Sequence, residues 1–250
     1  MAKILVTNDD GVHSPGLEVL RKHLKKLGDV IVVVPEREMS TASHSLTLRS
    51  PLRVSRIKKG IFITSGTPSD CINIGTLGIL KEKPVLVVSG INRGPNLGDD
   101  ITYSGTVAAS IESTLRGIPS FAISVASFKN CRFNLAAKFA FILARYILKN
   151  GLPSHTFLNV NVPNVSIRSI QGVEITHQGK RIYKENLVKR TDPRGRTYYW
   201  LGGDEPTGEI EEGTDFAAVA RKKISITPVQ LDLTDYKMID KLRNWHIKFP

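Results

Sequence analysis

The stretch Lys3-Ile4-Leu5-Val6-Thr7-Asn8-Asp9-Asp10-Gly11 opens the chain with a short apolar run that ends in two adjacent carboxylates. The run predicts a strand, and Ser14-Pro15 predicts the start of a helix, because serine caps helices and proline suits their first position. Leucines then recur at helical spacing, and Gly28 is predicted to cap the helix. A β-branched run from Val30 to Val34 ends at Pro35 and predicts a second strand.

The same alternation of strands and helices continues along the chain. Strands are predicted at 85–88, 121–125 and 157–162, helices at about 105–116 and 134–149, and a loop at 89–103. Unbroken apolar strands are typical of parallel sheets that helices cover on both faces. The pattern therefore predicts an α/β fold with a doubly wound, mostly parallel sheet.

The chain changes character after Pro163. Residues 1–163 are predicted to form the catalytic core, and residues 164–250 a more polar region with strands at 197–201 and 223–228. A final helix is predicted from Leu233 to Phe249, with Tyr236, Ile239 and Leu242 as packing residues. Because this region is too polar to form a large core alone, we expect an element for docking or oligomerisation.

Composition favours an ordinary folded protein. Hydrophobic residues make up 41% and charged residues 23% of 250 residues, which argues against disorder and fibrous repeats. The sequence contains no signal-peptide apolar region and no run of membrane-spanning length, so cytoplasmic residence without membrane association is expected. Cys71 and Cys131 are too few and too far apart to predict a disulfide framework or a Cys-rich zinc site.

The formal charge of +12 raises the question of an anionic partner. Much of the excess lies between Arg168 and Arg196, in Lys180, Arg181, Lys184, Lys189, Arg190 and Arg194. A solvated basic surface explains this segment, and nucleic acid is not the expected partner, because no helix-turn-helix, zinc-finger or RNP pattern accompanies it. Attraction of phosphorylated small molecules is a third interpretation.

Polar residues follow the first two predicted strands, where a doubly wound sheet binds its ligands. Asp9 and Asp10 offer hard oxygen ligands that suit Mg²⁺, Mn²⁺ or Ca²⁺, although Asn-Asp-Asp-Gly also suits a simple turn. Residues 36–45, after the second strand, are rich in hydroxyls that can ligate a metal or hold phosphate, or can simply populate a surface loop. His44 is either an acid or base or an exposed side chain.

The third loop, from Ser89 to Asp100, leads to Ser104-Gly105-Thr106 at a predicted helix start. Backbone N–H groups and hydroxyls at a helix N-terminus can form a phosphate cradle, although an ordinary N-cap explains the tripeptide equally well. The loop lacks the lysine of a P-loop and the Gly-x-Gly-x-x-Gly spacing of dinucleotide folds, which disfavours ATP hydrolysis and hydride transfer.

Together, the Asn-Asp-Asp-Gly start, the Ser-rich second loop, the Ser-Gly-x-Asn-x-Gly-x-Asn third loop and the Ser-Gly-Thr helix start resemble the SurE family of survival-protein nucleotidases. The resemblance extends through residues 66–71 and 159–163 to 225–228. It implies that one divalent metal ion, Mg²⁺ or Mn²⁺, is held by Asp9, Asp10, Ser40 and Asn92. It also implies phosphate contacts at Asn96, Ser104, Gly105 and Thr106.

The resemblance further implies a Rossmann-like core, a protruding hairpin, and a C-terminal element exchanged between subunits of a dimer or tetramer. The expected activity is metal-dependent hydrolysis of nucleoside 5′- or 3′-monophosphates, with short polyphosphate as a further substrate. Asp9 or Asp10 would receive a proton from the attacking water, or would itself attack phosphorus. The alternative function is a non-catalytic nucleotide or polyanion binder. The sequence leaves base preference and 3′ versus 5′ preference open.

Overall fold

The computed structural model describes residues 2–182, 185–203 and 207–249, and these ranges contain thirteen strands and six α-helices. The strands are Lys3–Thr7 (β1), Asp29–Pro35 (β2), Val54–Lys58 (β3), Ile61–Thr64 (β4), Leu86–Arg93 (β5), Ser120–Ala126 (β6), Thr156–Pro163 (β7), Val173–Ile175 (β8), Arg181–Ile182 (β9), Glu185–Thr191 (β10), Thr197–Gly203 (β11), Thr207–Gly208 (β12) and Ile224–Gln230 (β13). The α-helices are Pro15–Leu24 (α1), Pro68–Asn73 (α2), Gly105–Leu115 (α3), Phe133–Asn150 (α4), Asp215–Ala220 (α5) and Tyr236–Arg243 (α6). A π-helical turn covers Ile74–Ile79, and 3₁₀ turns cover Gly98–Thr102 and Ile167–Ser169.

A nine-stranded sheet in the order β3-β4-β2-β1-β5-β6-β7-β13-β8 forms the centre of the molecule. Strands β4, β2, β1, β5, β6 and β7 run parallel to one another, β3 is antiparallel to β4, and β13 is antiparallel to β7. The strand order reverses on either side of β1. This confirms the predicted α/β class with a doubly wound, mostly parallel sheet, in which ligands bind beyond the carboxyl ends of the strands.

Alternating side chains of the strands build a core on each face of the sheet. Ile4 and Val6 pack with α1 and α4 on one face, whereas Leu5 packs with α2 and α3 on the other. Burial of such a side chain stabilises the fold by about 1.5–3 kcal/mol relative to its exposure. The two-sided core explains why the strands are apolar without interruption.

Two predictions of local structure in the core were wrong, and three elements were not predicted. Helix α1 ends at Leu24, and Gly28 does not cap it; a Cβ at Gly28 would lie 2.3 Å from the Ala2 carbonyl oxygen. The strand predicted at 85–88 continues to Arg93, because Ser89–Arg93 keep pairing with β6. Strands β3 and β4 and helix α2 were not predicted. Strand β3 is exposed throughout and lacks an apolar pattern that would indicate a strand.

The region beyond Pro163 contributes both to the sheet and to separate elements. Strand β13 pairs with β7 over Ser225–Gln230 and carries β8 on its other side. Strands β10 and β11 form a separate antiparallel hairpin, and β9 pairs with β12. No helix in the described ranges is both long and apolar enough to cross a membrane.

The helix predicted from Leu233 to Phe249 is shorter, because α6 covers only Tyr236–Arg243. Tyr236, Ile239 and Leu242 were predicted to pack, but no residue of α6 is buried, and 65% of Tyr236 is exposed. The apolar residues of α6 have helical spacing, but within this subunit they do not pack against a core.

Candidate active site

The turn after β1 presents Asp9 and Asp10 at the carboxyl end of the sheet. Asn8 braces the turn: its Nδ2 donates to the Gly11 carbonyl oxygen at 3.0 Å, and its Oδ1 accepts from the Gly11 N–H at 3.2 Å. Gly11 has a φ of +85°, a conformation that favours glycine. The sequence Asn-Asp-Asp-Gly thus builds a turn, and the turn directs both carboxylates to the expected edge.

Asp9 is buried, with 5% exposure. Its Oδ2 accepts from the Thr106 N–H at 3.2 Å, and its Oδ1 accepts a short hydrogen bond from the Thr106 hydroxyl. Burial raises the pKa of Asp9 to about 6, although the bonds from Thr106 oppose the shift. A buried carboxyl of this kind favours a nearby cation, which would stabilise its charged form.

Asp10 is half-buried and reaches the same cleft. Burial raises its pKa above the ordinary value, while the Arg93 guanidinium opposes that shift. Its Oδ2 accepts from the Ser14 hydroxyl at 3.4 Å. Asp10 is therefore more open to a bound molecule than Asp9.

The Ser-rich loop after β2 is fastened to the first turn and to α3. The Met39 N–H donates to the Asp9 carbonyl oxygen at 2.8 Å, and the Ser40 hydroxyl donates to Glu38 Oε1 at 2.6 Å. His44 Nε2 lies 3.0 Å from Oε2 of the buried Glu112 on α3. Ser40 thus keeps its oxygen lone pairs for a cation, whereas His44 is engaged in anchoring the loop.

The end of β5 and the loop after it carry two of the predicted site residues, Asn92 and Asn96. Asn92 Nδ2 donates to the Gly94 carbonyl oxygen at 3.0 Å, which leaves the amide oxygen of Asn92 as its ligand atom. Asn96 is buried in a polar network: its N–H donates to Asn161 Oδ1 at 2.8 Å, and its Nδ2 donates to Ser124 Oγ at 2.8 Å. Asn159 and Asn161 both donate to the Asn96 carbonyl oxygen, at 2.8 and 2.9 Å.

The start of α3 lies beside Asp9. Ser104 is the N-cap, and its hydroxyl oxygen accepts from the Val107 N–H at 3.1 Å, so its hydroxyl hydrogen remains available to an anion. A Cβ at Gly105 would lie 3.0 Å from Asp9 Cβ, so the glycine permits this close approach. The hydroxyl of Thr106 is committed to Asp9, and Thr106 is fully buried.

One cleft of about 370 Å³ brings these groups together. It is lined by all four predicted metal ligands, Asp9, Asp10, Ser40 and Asn92, and by Asn96 and Ser104 of the predicted phosphate contacts; Gly105 and Thr106 lie behind its wall. Eight further lining residues were not assigned to the site from the sequence: Glu38, Thr41, Arg93, Pro95, Asp100, Tyr103, Phe128 and Arg181. The position of Phe128 just beyond β6 was the available signal, because ligands bind beyond strand ends.

The donor set fits a hard divalent cation. Two carboxylates, a hydroxyl and an amide oxygen line the cleft, and oxygen ligands of this kind suit Mg²⁺ or Mn²⁺. In the part of the chain that the structure describes, no group of three or more His, Cys, Asp or Glu side chains could hold a metal.

The C-terminal region supplies one wall of the cleft. The Arg181 N–H donates to Asp99 Oδ2 at 3.0 Å, and its guanidinium forms an ion pair with Asp100. Asp215 is fully buried and accepts from the Gly98 N–H at 2.8 Å and the Gly179 N–H at 2.9 Å.

Of the basic segment between Arg168 and Arg196, Arg181 reaches the site. Lys189 and Arg190 are exposed on the hairpin, and Lys184 lies outside the described residues.

A family model described as survival protein SurE matches residues 4–185. The chain belongs to the SurE family. It is 54% identical over 245 residues to a 5′-nucleotidase SurE of Geobacter sulfurreducens, covering 98% of this chain and 94% of that protein. A 5′-nucleotidase SurE of Pelobacter propionicus is 51% identical, with 97% and 98% covered. The crystal structure of a SurE protein from Aquifex aeolicus matches with a TM-score of 0.89 and 44% identity, covering 98% of this chain and all of that one.

Proposed function

We propose that this chain is a divalent-metal-dependent phosphatase that hydrolyses nucleoside 5′-monophosphates, and also 3′-monophosphates, to nucleoside and phosphate. The observation that carries the proposal is the cleft in which Asp9, Asp10, Ser40 and Asn92 face the start of α3. The names of the Geobacter and Pelobacter relatives support a 5′-nucleotidase activity. The resemblance that assigned these residues as ligands adds short polyphosphate as a further substrate.

The chain's own residues would bind and orient the phosphate. A Mg²⁺ or Mn²⁺ ion held by the four oxygen donors would supply Lewis acidity and offset the negative charge of the phosphoryl group. The Ser104 hydroxyl and Asn96 would hold phosphoryl oxygens, and the partial positive charge at the start of α3 would favour the anion. Because Thr106 is committed to Asp9, we assign it the role of positioning Asp9.

The reaction would displace the nucleoside oxygen from phosphorus by water. A water oxygen attacks phosphorus as it gives up a proton, and the bond from phosphorus to the ester oxygen breaks. The leaving alkoxide takes up a proton from bulk water, which balances the proton released by the attacking water. Asp10 is the more accessible of the two carboxylates and would accept the proton of the attacking water. In the rival mechanism Asp10 or Asp9 attacks phosphorus directly, and rapid-quench trapping of a phosphorylated aspartate would establish that route instead.

A matrix of metals and substrates tests the proposed function. Purified protein stripped with EDTA should be inactive on adenosine 5′- and 3′-monophosphates and on tripolyphosphate, and added Mg²⁺ or Mn²⁺ should restore phosphate release. Asp10→Asn should remove activity, whereas Asp240→Asn, at an exposed carboxylate on α6, should not. Activity that survives EDTA, or equal activity of Asp10→Asn, would contradict the proposed site.

The exposed Lys189 and Arg190 of the basic hairpin favour a second candidate, a nucleotide or polyanion binder without turnover. That function predicts nucleotide binding in calorimetry with no phosphate release under any metal. It also predicts that Lys189→Glu with Arg190→Glu abolishes binding, whereas the enzyme proposal predicts that this pair leaves hydrolysis intact.

We also propose that the chain is a homo-oligomer, a dimer or a tetramer, in which C-terminal elements are exchanged. The hairpin exposes 64% of Trp200 and 79% of Leu201, and the C-terminal segment exposes 62% of Trp245 and 77% of Ile247. Apolar side chains clustered on two appended elements mark interaction surfaces.

A further inference from the structure

A second cleft, of about 430 Å³, adjoins the catalytic cleft. The two share a wall formed by Asp10, Glu38, Arg93 and Phe128. A molecule held by its phosphate beside Asp10 therefore has space to extend past Phe128. The proposed chemistry leaves this second cleft without a role.

Phe128 lines both clefts. It lies two residues beyond β6, and 41% of it is exposed. A Cβ built on Gly94 would lie 2.5 Å from Phe128 Cε1 and 2.9 Å from Cδ1, so the ring rests directly against the Gly94 backbone. Gly94 is also the partner of Asn92, a proposed metal ligand. The ring therefore lies beside the backbone that positions Asn92.

We infer that the second cleft binds the nucleoside part of the substrate and that the base stacks on Phe128. The inference rests on the proposed function, because it requires the phosphate to lie in the catalytic cleft. A flat aromatic base is a natural occupant of a pocket walled by an exposed aromatic ring, and stacking on aromatic side chains is a common mode of base recognition. The pocket has the size and mixed character of small-molecule sites.

The other side chains of the cleft suit a nucleoside. Phe133 adds a second aromatic wall, while Arg93, His13 and Asn130 provide donors and acceptors for ribose hydroxyls and base heteroatoms. Because every base has a π-face, stacking tolerates base identity. The arrangement therefore predicts hydrolysis of purine and pyrimidine nucleotides alike, with larger bases favoured by their larger stacking area.

Tyr103 is the competing aromatic residue. It lines the catalytic cleft on the side of Asp100 and Arg181, and 54% of it is exposed. Unlike Phe128, it does not line the second cleft. A base stacked on Tyr103 would not require the second cleft, so the two placements can be separated by substitution.

The experiment compares adenosine 5′-monophosphate with glycerol phosphate, which has the same ester but no base. For each protein, kcat/KM is measured on both substrates and expressed as a ratio. In Phe128→Leu the ratio should fall about tenfold, as expected for the loss of one base stack. Tyr103→Leu and Tyr146→Leu, the latter an exposed aromatic residue on α4, should keep the wild-type ratio. Thermal melts followed by circular dichroism check that each variant is folded.

Adenosine itself provides a readout that does not depend on turnover. It should bind the wild type in calorimetry and bind Phe128→Leu about tenfold more weakly. An unchanged ratio and unchanged adenosine affinity in Phe128→Leu would overturn the inference, as would a loss confined to Tyr103→Leu. If the wild type hydrolyses neither adenosine 5′-monophosphate nor glycerol phosphate, the proposed function fails. The adenosine affinity alone then decides whether a base stacks on Phe128.

Discussion

At the residue scale, Asp9 is held by two hydrogen bonds from Thr106, and burial raises its pKa to about 6. Its position is therefore set before any cation arrives. A group fixed in this way loses little freedom when it binds a ligand, and pre-organisation of this kind strengthens metal sites. Asp10, which is more exposed, has fewer constraints from the chain.

Replacing Asp9 by asparagine should lower kcat/KM at least about a hundredfold, because a charged ligand is lost and even outer-shell changes at metal sites cost 10–100-fold. The amide can accept only one of the two hydrogen bonds from Thr106, so a modest drop in the melting temperature is also expected. Phosphate release and thermal melts measure the two effects, with Asp240→Asn as the control. Near wild-type activity would remove Asp9 from the site.

Thr106 offers a sharper test because its side chain is fully buried and bonded to Asp9. Thr106→Val keeps the shape but deletes the donor, and we expect a 10–100-fold loss of kcat/KM together with weaker Mn²⁺ binding. Thr106→Ser keeps the hydroxyl and should retain most activity. If Thr106→Val changes KM for the nucleotide but not the affinity for Mn²⁺, Thr106 contacts phosphate instead of positioning Asp9.

At the scale of elements, polar side chains on one strand or helix fix loops that belong to another. Asn159 and Asn161 on β7 hold the backbone of Asn96, and Asp215 at the first turn of α5 holds Gly98 and Gly179. Each bond joins segments far apart in sequence. The shape of the cleft thus depends on elements that contribute no atom to its chemistry.

Asp215→Asn should destabilise the protein by about 1–3 kcal/mol, because the amide places N–H groups against backbone donors in a buried site. The 3₁₀ turn at Gly98–Thr102 then loses the hydrogen bond from the Gly98 N–H to Asp215. We therefore expect KM for the nucleotide to rise more than kcat falls. Chemical denaturation and steady-state kinetics test both effects. Asp240→Asn is again the control, and unchanged stability would mean that the backbone hydrogen bonds from Gly98 and Gly179 to Asp215 contribute nothing net.

The sequence predicted the elements whose pattern is local. Strands β1, β2, β6 and β7 are apolar runs closed by turn residues, and α3 and α4 have helical spacing, so each was placed within a few residues. Strand β3 could not be found this way, because all of its residues are exposed and it is a strand only through pairing with β4. The end of β5 was missed for a similar reason: Asn92 and Arg93 are extended because they pair with β6.

In the candidate site, too, residues with a local sequence signal were predicted, and residues placed by long-range contacts were not. Asp9, Asp10, Asn96 and Ser104 follow strands or cap a helix, Ser40 lies in the loop after β2, and Asn92 lies at the end of β5; one cleft is lined by all six, which the resemblance had assigned to the site. Arg181 could not be assigned, because its position depends on long-range bonds to Asp99 and Asp100. The hydrogen bond from the Thr106 hydroxyl to Asp9 forms because the turn after β1 lies close to the start of α3. The spacing of residues in the sequence does not reveal that contact.

At the scale of the whole molecule, the exposed apolar side chains of the hairpin and the C-terminal segment predict self-association. Sedimentation velocity should show a dimer or a larger species for the wild type. Trp200→Glu combined with Leu201→Glu should shift the distribution to smaller species, because burying charges at an interface is costly. Tyr146→Glu, on an exposed face of α4, serves as the control. A monomeric wild type would contradict the proposed assembly.

The hydrogen bonds from Gly98 and Gly179 to Asp215 affect when the cleft can form during synthesis of the chain. A nascent chain that has emerged only to residue 207 contains every proposed metal ligand and phosphate contact, yet it lacks α5, β13 and the carboxylate that joins the two sides of the cleft. The central strands can assemble while the ribosome is still translating. We therefore expect catalytic competence to appear late, only after α5 and β13 have left the exit tunnel.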